Sequence, residues 1–188
     1  MAKNQPIRAI KVIPSNEVNI PKPGSYASGT SSTGLAGDTI TDLSANFLGV
    51  SNPGNTGVSN KVNIGDVVYA TDALLGTTVA VHVLEIISNT QIKITPGLVT
   101  GTTPYEIYRS NGTFNGAFST QSLTGLEGYS LYVGDAGTGA NPGELSVVPA
   151  ASQDTVILKG VTAGSFIPLQ VVKVNRTGTG VTDILALE

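Results

Sequence analysis

Residues 129–150 read YSLYVGDAGTGANPGELSVVPA, and residues 154–188 read DTVILKGVTAGSFIPLQVVKVNRTGTGVTDILALE. Short apolar runs alternate here with Gly, Pro, Asn and Asp, and no run keeps a helical period. The pattern predicts five strands separated by turn clusters, at 131–133, 145–148, 155–158, 166–174 and 182–187. The C-terminal segment 129–188 is therefore predicted to be a compact antiparallel β domain.

A second set of strand patterns lies upstream, in residues 38–110. The segments 77–87 (TTVAVHVLEII) and 91–95 (QIKIT) flank a short turn, which predicts a β-hairpin. Further strands are expected at 64–69 and 105–108, and a strand or short helix is expected to hold Leu43, Phe47 and Val50. The loop at 51–60 is rich in turn residues. We therefore predict an all-β fold of two small antiparallel β-sandwich or barrel modules.

The chain before residue 38 is predicted to be an arm and a connector. Residues 1–24 contain four prolines, which favour extended backbone, together with apolar residues at strand-like spacing. We expect an extended N-terminal arm that adds to a sheet edge, either its own or a neighbour's. Residues 1–9 are equally compatible with a disordered terminus. Residues 25–37 and 111–128 are rich in Ser and Gly; the first is predicted to be a flexible linker and the second a linker.

Composition narrows the class of function. Charged residues make up 12% of the 188 residues, about half the usual share, which suits a domain whose surface contacts other subunits. The net charge is −3 and no basic stripe exists, so we expect no nucleic-acid partner. Cys is absent, and no run is apolar enough to span a membrane. The N-terminus lacks the apolar core of a signal peptide, so synthesis in the cytoplasm without export is expected.

No catalytic or metal-binding constellation is apparent. His82 is the one histidine, so a His-rich metal site cannot form, and a structural or surface role is predicted. The stretch from Gly134 to Gly139 is Gly-rich, but no helix follows it to present N–H groups to a phosphate, and we predict a hairpin turn. A calcium site at Asp135 would lack the usual acidic spacing. We therefore predict that the protein is not an enzyme and holds no cofactor.

The C-terminal segment resembles the head-spike-base proteins of gene transfer agents and their tailed-phage relatives. The resemblance begins at Ile13-Pro14-Ser15-Asn16 and resumes at Leu131-Tyr132-Val133-Gly134 and at Asp154-Thr155-Val156-Ile157. It continues through 160–169 (GVTAGSFIPL), 172–174 (VKV) and 177–187 (TGTGVTDILAL). The chain departs from the family pattern in three places. Asn16 replaces an acidic residue, GTGANPGE lengthens the turn after the LYVG strand, and residue 173 is Lys.

The resemblance implies a virion protein of a tailed phage that binds the capsid exterior as a cement, decoration or vertex-spike protein. The expected partner is the major capsid protein, with homo-oligomerisation, and the expected location is the virion. The split match, at 10–20 and 129–187, implies that the arm joins the C-terminal sheet and that residues 38–110 are an insertion. Assembly contacts are expected from eight residues: Ile10, Val12, Ile13, Pro14, Val18, Ile20, Phe166 and Pro168.

Two alternatives remain open from the residues. One is a neck or tail component of the same particle, such as a fibre or its adaptor. The other is a module that binds a host receptor or glycan, with Tyr26, Tyr69, Tyr105 and Tyr108 as platform residues.

Overall fold

In the computed structural model, residues 8–31, 38–49, 61–71, 76–95, 103–112, 126–152 and 154–188 are described. The protein is all-β, as predicted, with two antiparallel sheets, one of which is curled into a half-barrel. The chain divides into two compact units: unit 1 comprises 1–23, 111–113 and 121–188, and unit 2 comprises 24–110 and 114–120. Within these described ranges, no helix is long and apolar enough to span a membrane.

The described residues form twelve strands. They are β1 Ala9–Lys11, β2 Ala27–Thr30, β3 Thr39–Thr41, β4 Val67–Thr71, β5 Thr78–Ser88, β6 Gln91–Ile94, β7 Pro104–Tyr108, β8 Tyr129–Asp135, β9 Leu145–Pro149, β10 Val156–Leu158, β11 Ser165–Val174 and β12 Thr182–Leu187. The five strands predicted in the C-terminal segment are present as β8 to β12. The predicted hairpin is also present, as β5 and β6.

Unit 1 contains a sheet with the order β1-β12-β8-β11-β9-β10. Alternation along β8 decides which face is buried, since successive side chains in a strand point to opposite faces. Tyr129, Leu131 and Val133 are fully buried, and their neighbours across the pairing with β12, such as Ile184, are buried with them. One face of this sheet therefore forms the core of unit 1.

Strand β11 changes neighbours along its length. Its first part pairs with β8 and its last part with β9, and the register with β8 shifts between Ile167 and Val171. Pro168 lies inside this irregular stretch. Proline has no N–H to donate to a ladder, so it is confined to bulges and edges of sheets. Strand β11 therefore continues through Pro168 as one strand whose register is irregular there.

The arm joins the sheet of its own unit. Strand β1 pairs antiparallel with β12, and Ile10 lies opposite Ala186. Beyond β1, the N–H of Val12 donates to the Ile184 carbonyl, and the N–H of Ile20 donates to the Val172 carbonyl, both at 2.8 Å. The apolar arm residues Ile10, Val12, Val18 and Ile20 are all buried. The arm is thus a core element of unit 1.

Unit 2 contains a sheet with the order β2-β7-β4-β5-β6-β3. The long strand β5 pairs with β4 through its first residues and with β6 through its last ones. The core of unit 2 includes Ile40, Phe47, Val62 and Ile92, whose side chains are almost completely inaccessible to solvent. Of the other residues expected near Phe47, Leu43 is exposed, and Val50 lies outside the described residues, as does the loop 51–60.

The predicted linker at 25–37 is wrong over part of its length. Residues Ala27–Thr30 form β2, which pairs with β7 at the edge of the sheet of unit 2. A side chain at Gly29 would lie 2.3 Å from the Asp42 carboxylate and 2.7 Å from the Tyr105 hydroxyl. Gly29 is therefore required by packing, whereas in the sequence the same Gly reads as a sign of flexibility. Of the predicted linker 111–128, residues 113–125 lie outside the described part.

The Gly-rich segment after β8 is not a hairpin turn. Strands β8 and β9 are not neighbours, because β11 lies between them in the sheet, so residues 136–144 cross over one strand position. This crossing brings backbone close to the segment before β12. A side chain at Gly137 would overlap the Gly180 carbonyl, and one at Gly180 would overlap the Asn141 carbonyl, each at 1.8 Å. The glycines serve close backbone approach here.

We expect Ile20→Ala to destabilise unit 1 as a core substitution does. Ile20 is 2% exposed, and removal of a buried Ile side chain typically costs about 2–5 kcal/mol. Urea-induced unfolding measures the change, with Lys22→Ala as the control at an exposed position in the same segment. Equal stability of the two variants would contradict the assignment of the arm to the core.

Candidate interaction surface

The exposed face of the sheet in unit 1 carries a row of apolar side chains. Phe166 on β11 lies directly opposite Tyr132 on β8, and Tyr132 lies opposite Leu185 on β12. Residues that face each other in antiparallel strands point to the same side of the sheet. Phe166 is 56% exposed, Tyr132 is 38% exposed and Leu185 is half-buried. We call Phe166, Tyr132 and Leu185 the apolar row.

One end of the apolar row is charged. Lys11 on β1 pairs with Leu185, and its Nζ atom lies 3.6 Å from the Asp183 carboxylate. Both charged side chains are about two-thirds exposed, at 65% and 68%, so this ion pair contributes little to stability. Contiguous exposed apolar side chains with a polar rim mark interaction sites on soluble proteins. The apolar row is one part of unit 1 that fits this description.

Hydrogen bonds of Asn16 hold this part of the arm in place. The Asn16 side chain donates to the Thr177 hydroxyl at 2.9 Å and accepts from the Thr177 N–H at 3.0 Å. The Lys173 ammonium donates to the Asn16 carbonyl at 3.2 Å, and burial lowers the pKa of Lys173. Asn16 and Lys173 lie 157 residues apart in sequence. The structure places these two positions in contact.

The eight residues expected at an assembly interface fall into two groups. Four of them, Ile10, Val12, Val18 and Ile20, are buried within unit 1 and offer no surface to a partner in the folded chain. Ile13 and Pro14 are half-buried, and Pro168 is exposed. Phe166 is the largest exposed apolar side chain among the eight.

Sequence reasoning missed Tyr132 and Leu185. The sequence does contain a signal for Tyr132, because the apolar residues Tyr129, Leu131 and Val133 occupy every second position of β8 and therefore leave Tyr132 on the opposite face. Only the sheet order shows that Tyr132 is flanked by Phe166 and Leu185, since both neighbours come from strands more than 30 residues away in sequence.

Unit 2 contains a buried carboxylate at Asp42, which is 2% exposed. The Tyr105 hydroxyl donates to Asp42 at 2.7 Å, and the N–H and hydroxyl of Ser44 donate to it at 2.9 Å and 2.6 Å. Burial by itself raises the pKa of Asp42, but the hydrogen bonds from Ser44 and Tyr105 outweigh it, and the pKa is lowered. Asp42 is therefore ionised at neutral pH and joins β3 to β7.

A second carboxylate, Asp66, joins the two ends of unit 2. Tyr26, near the start of the unit, donates its hydroxyl to Asp66, and Arg109, near the end, forms a 2.8 Å ion pair with the same oxygen. The Arg109 guanidinium also lies 3.8 Å from the centre of the Tyr26 ring. Asp66 is 3% exposed, so these partners compensate the cost of its burial. The unit is thereby closed where the chain enters and leaves it.

The proposed tyrosine platform is not present. Tyr69, Tyr105 and Tyr108 are buried, and the Tyr69 and Tyr108 rings pack at 4.8 Å between centroids. Tyr26 is half-buried beneath Arg109. These residues stabilise unit 2, and no flat aromatic surface for a sugar ring remains among them.

His82 is buried at 2% exposure in β5. Its backbone N–H donates to the Thr95 hydroxyl at 2.9 Å, and its Nδ1 atom lies 3.1 Å from the Gly65 carbonyl. This position agrees with the predicted structural role. Among the residues that the structure describes, no group of three or more His, Asp or Glu side chains is placed to hold a metal ion.

The chain matches no known protein-family profile, no curated protein and no solved structure.

We expect the stability of unit 2 to fall on acidification because of Asp42. The pKa of Asp42 is depressed in the folded state, so its stabilisation is complete above the ordinary Asp pKa of about 3.9 and is lost as the pH falls through the folded value. The difference in unfolding free energy between the wild type and Asp42→Asn should be largest at neutral pH and should shrink in acid.

Urea-induced unfolding at several pH values measures this difference. Asp38→Asn is the control, because the Asp38 side chain is 41% exposed and its carboxylate lies 3.8 Å from Lys93. A pH-independent difference for Asp42→Asn would contradict the role assigned to the buried carboxylate.

Proposed function

We propose that this protein is a non-enzymatic structural component of a tailed-phage virion that binds the capsid exterior as a cement, decoration or vertex-spike protein. One observation carries the proposal. The two segments with the family resemblance, 10–20 and 129–187, are more than 100 residues apart in sequence and fold into the same sheet. The resemblance is interrupted along the sequence, and such an interruption is expected if the two matching segments form one unit while the residues between them form another.

Unit 1 supplies the attachment surface in this proposal. The apolar row provides exposed aromatic area, and aromatic residues are enriched at the centres of protein interfaces. The low charge of the chain, 12% of residues, also suits a surface that is covered in an assembly. The partner is the major capsid protein, and the protein reaches the virion after synthesis in the host cytoplasm.

Unit 2 is an insertion that leaves the sheet of unit 1 intact. The chain leaves unit 1 after Pro23 and returns at Asn111, and neither residue lies within a strand. Asn111 is 1% exposed, and its side chain both donates to the Glu127 carbonyl and accepts from the Glu127 N–H. Domain insertion is tolerated where entry and exit lie near each other, and the contacts at Asp66 meet this condition.

We expect the copy number per virion to decide the position in the particle. A cement role requires a stoichiometry near that of the major capsid protein, whereas a vertex spike or a neck or tail adaptor requires tens of copies or fewer. Densitometry of purified virions of the encoding phage measures the ratio. A low-copy band would exclude the cement role, and absence from the virion would contradict the proposal as a whole.

We expect Phe166→Asp to weaken binding to capsids that lack this protein by roughly tenfold or more, because it places a charge in the apolar row. Co-sedimentation with purified capsids measures the bound fraction. Ile64→Asp is a matched control, since Ile64 is 51% exposed but belongs to unit 2. Circular dichroism confirms the fold of each variant, and equal binding of both variants would contradict the assignment of the surface.

A further inference from the structure

Strand β10 is an apolar edge of the sheet in unit 1. Among the strands described, β9 is its one neighbour, so the other side of β10 faces away from the sheet. Val156 is 38% exposed and Ile157 is 49% exposed, while Leu158 is half-buried. An edge strand presents a row of N–H and C=O groups on its outer side, which makes it a template for pairing with another strand.

In the described part of unit 1, the other sheet edges carry features that discourage pairing. Strand β1 contains Lys11 and precedes Pro14, and the first part of β11 contains Pro168. Charges and prolines at edges prevent unwanted sheet extension. Strand β10 contains neither, and its exposed side chains are β-branched residues that favour strands.

The residues that flank β10 have opposite charges. Asp154 precedes the strand and Lys159 follows it, and both are exposed. In an antiparallel pair of two identical strands, the end of one copy that carries Asp154 meets the end of the other that carries Lys159, and with Ile157 opposite Ile157 the two charged residues are one position out of register. A parallel pair would bring like charges together, which is destabilising. The flanking charges therefore favour a second copy of this strand in the antiparallel direction.

We propose that β10 pairs antiparallel with β10 of a second copy, so that the sheets of two chains become continuous. A two-fold axis perpendicular to the sheet keeps each side chain on its own face. Because side chains alternate between the two faces, each residue must then pair with itself or with a residue an even number of positions away. Centring the axis on Ile157 places the two Ile157 residues opposite each other and Val156 opposite Leu158 of the copy. Apolar side chains then meet apolar side chains on both faces.

Lys159 already has an intramolecular partner, which keeps it near the edge. Its Nζ atom lies 3.0 Å from the Glu144 carboxylate, while its side chain is 75% exposed. A pairing of three residues in each chain buries less than the roughly 1,200–2,000 Å² of a stable complex. The dimer is therefore expected to be weak and to form only as the protein concentration rises. This inference rests on β10 alone and does not depend on the proposed role in a virion.

Sedimentation velocity over the micromolar range tests the pairing. The full-length wild type should shift from monomer to dimer as its concentration rises, and Ile157→Lys should remain monomeric. Ile87→Lys is the matched control, because Ile87 is 47% exposed on β5 of unit 2 and should leave the dimer intact. A wild type that stays monomeric, or an Ile157→Lys variant that dimerises as the wild type does, would overturn the proposal.

Charge variants test the antiparallel direction without changing the apolar residues. Asp154→Lys places Lys at both ends of the strand, and Lys159→Asp places Asp at both ends, so each variant alone should dimerise less than the wild type. An equimolar mixture should recover dimers, since every flanking pair is then opposite in charge.

Adding Ile157→Lys to both partners should abolish the recovery, which separates strand pairing from general charge attraction. A mixture that does not recover, or one that recovers equally well with Ile157→Lys present, would overturn the antiparallel pairing.

Discussion

The pairing of β1 with β12 is the interaction on which the organisation of the chain depends. It joins residues 9–11 to residues 185–187 and continues through the backbone hydrogen bonds of Val12 and Ile20. Four apolar side chains of the arm, Ile10, Val12, Val18 and Ile20, are buried along these contacts and belong to the core of unit 1. Both the arm and the C-terminal strands thus belong to unit 1, and residues 24–110 between them belong to unit 2.

The same requirement for paired backbone groups shapes the rest of unit 1. Where β8 begins at Tyr129, β11 loses that neighbour, and the arm takes its place through Ser15 and Ile20. On its other side, β11 gains β9 only after the bulge at Pro168, which has no N–H to satisfy. Each change of partner thus occurs where the arm supplies a new N–H donor or where proline lacks one. The apolar row lies on the regular part of this sheet, between β12 and β11.

The strands were predictable because their signals are local. Alternation and β-branched residues located β5, β6 and all five strands of the C-terminal segment within a few residues. Strand β2 was missed because its residues, Ala, Ser, Gly and Thr, have the composition of a linker, and their strand conformation comes from pairing with β7. The prediction of a tyrosine platform is wrong for a related reason. Tyr105 can be exposed or buried because it is amphipathic, and the sequence does not show that Asp42 accepts a hydrogen bond from its hydroxyl in the core.

The sequence by itself determined the all-β class, the positions of most strands and the low charge. These follow from side-chain chemistry and from spacing over a few residues. The tertiary structure decided which strands are neighbours, and therefore that residues 136–144 cross over β11, that four arm residues are buried, and that Phe166, Tyr132 and Leu185 form one row. Sheet order depends on contacts between residues far apart in the chain, and no local pattern encodes it.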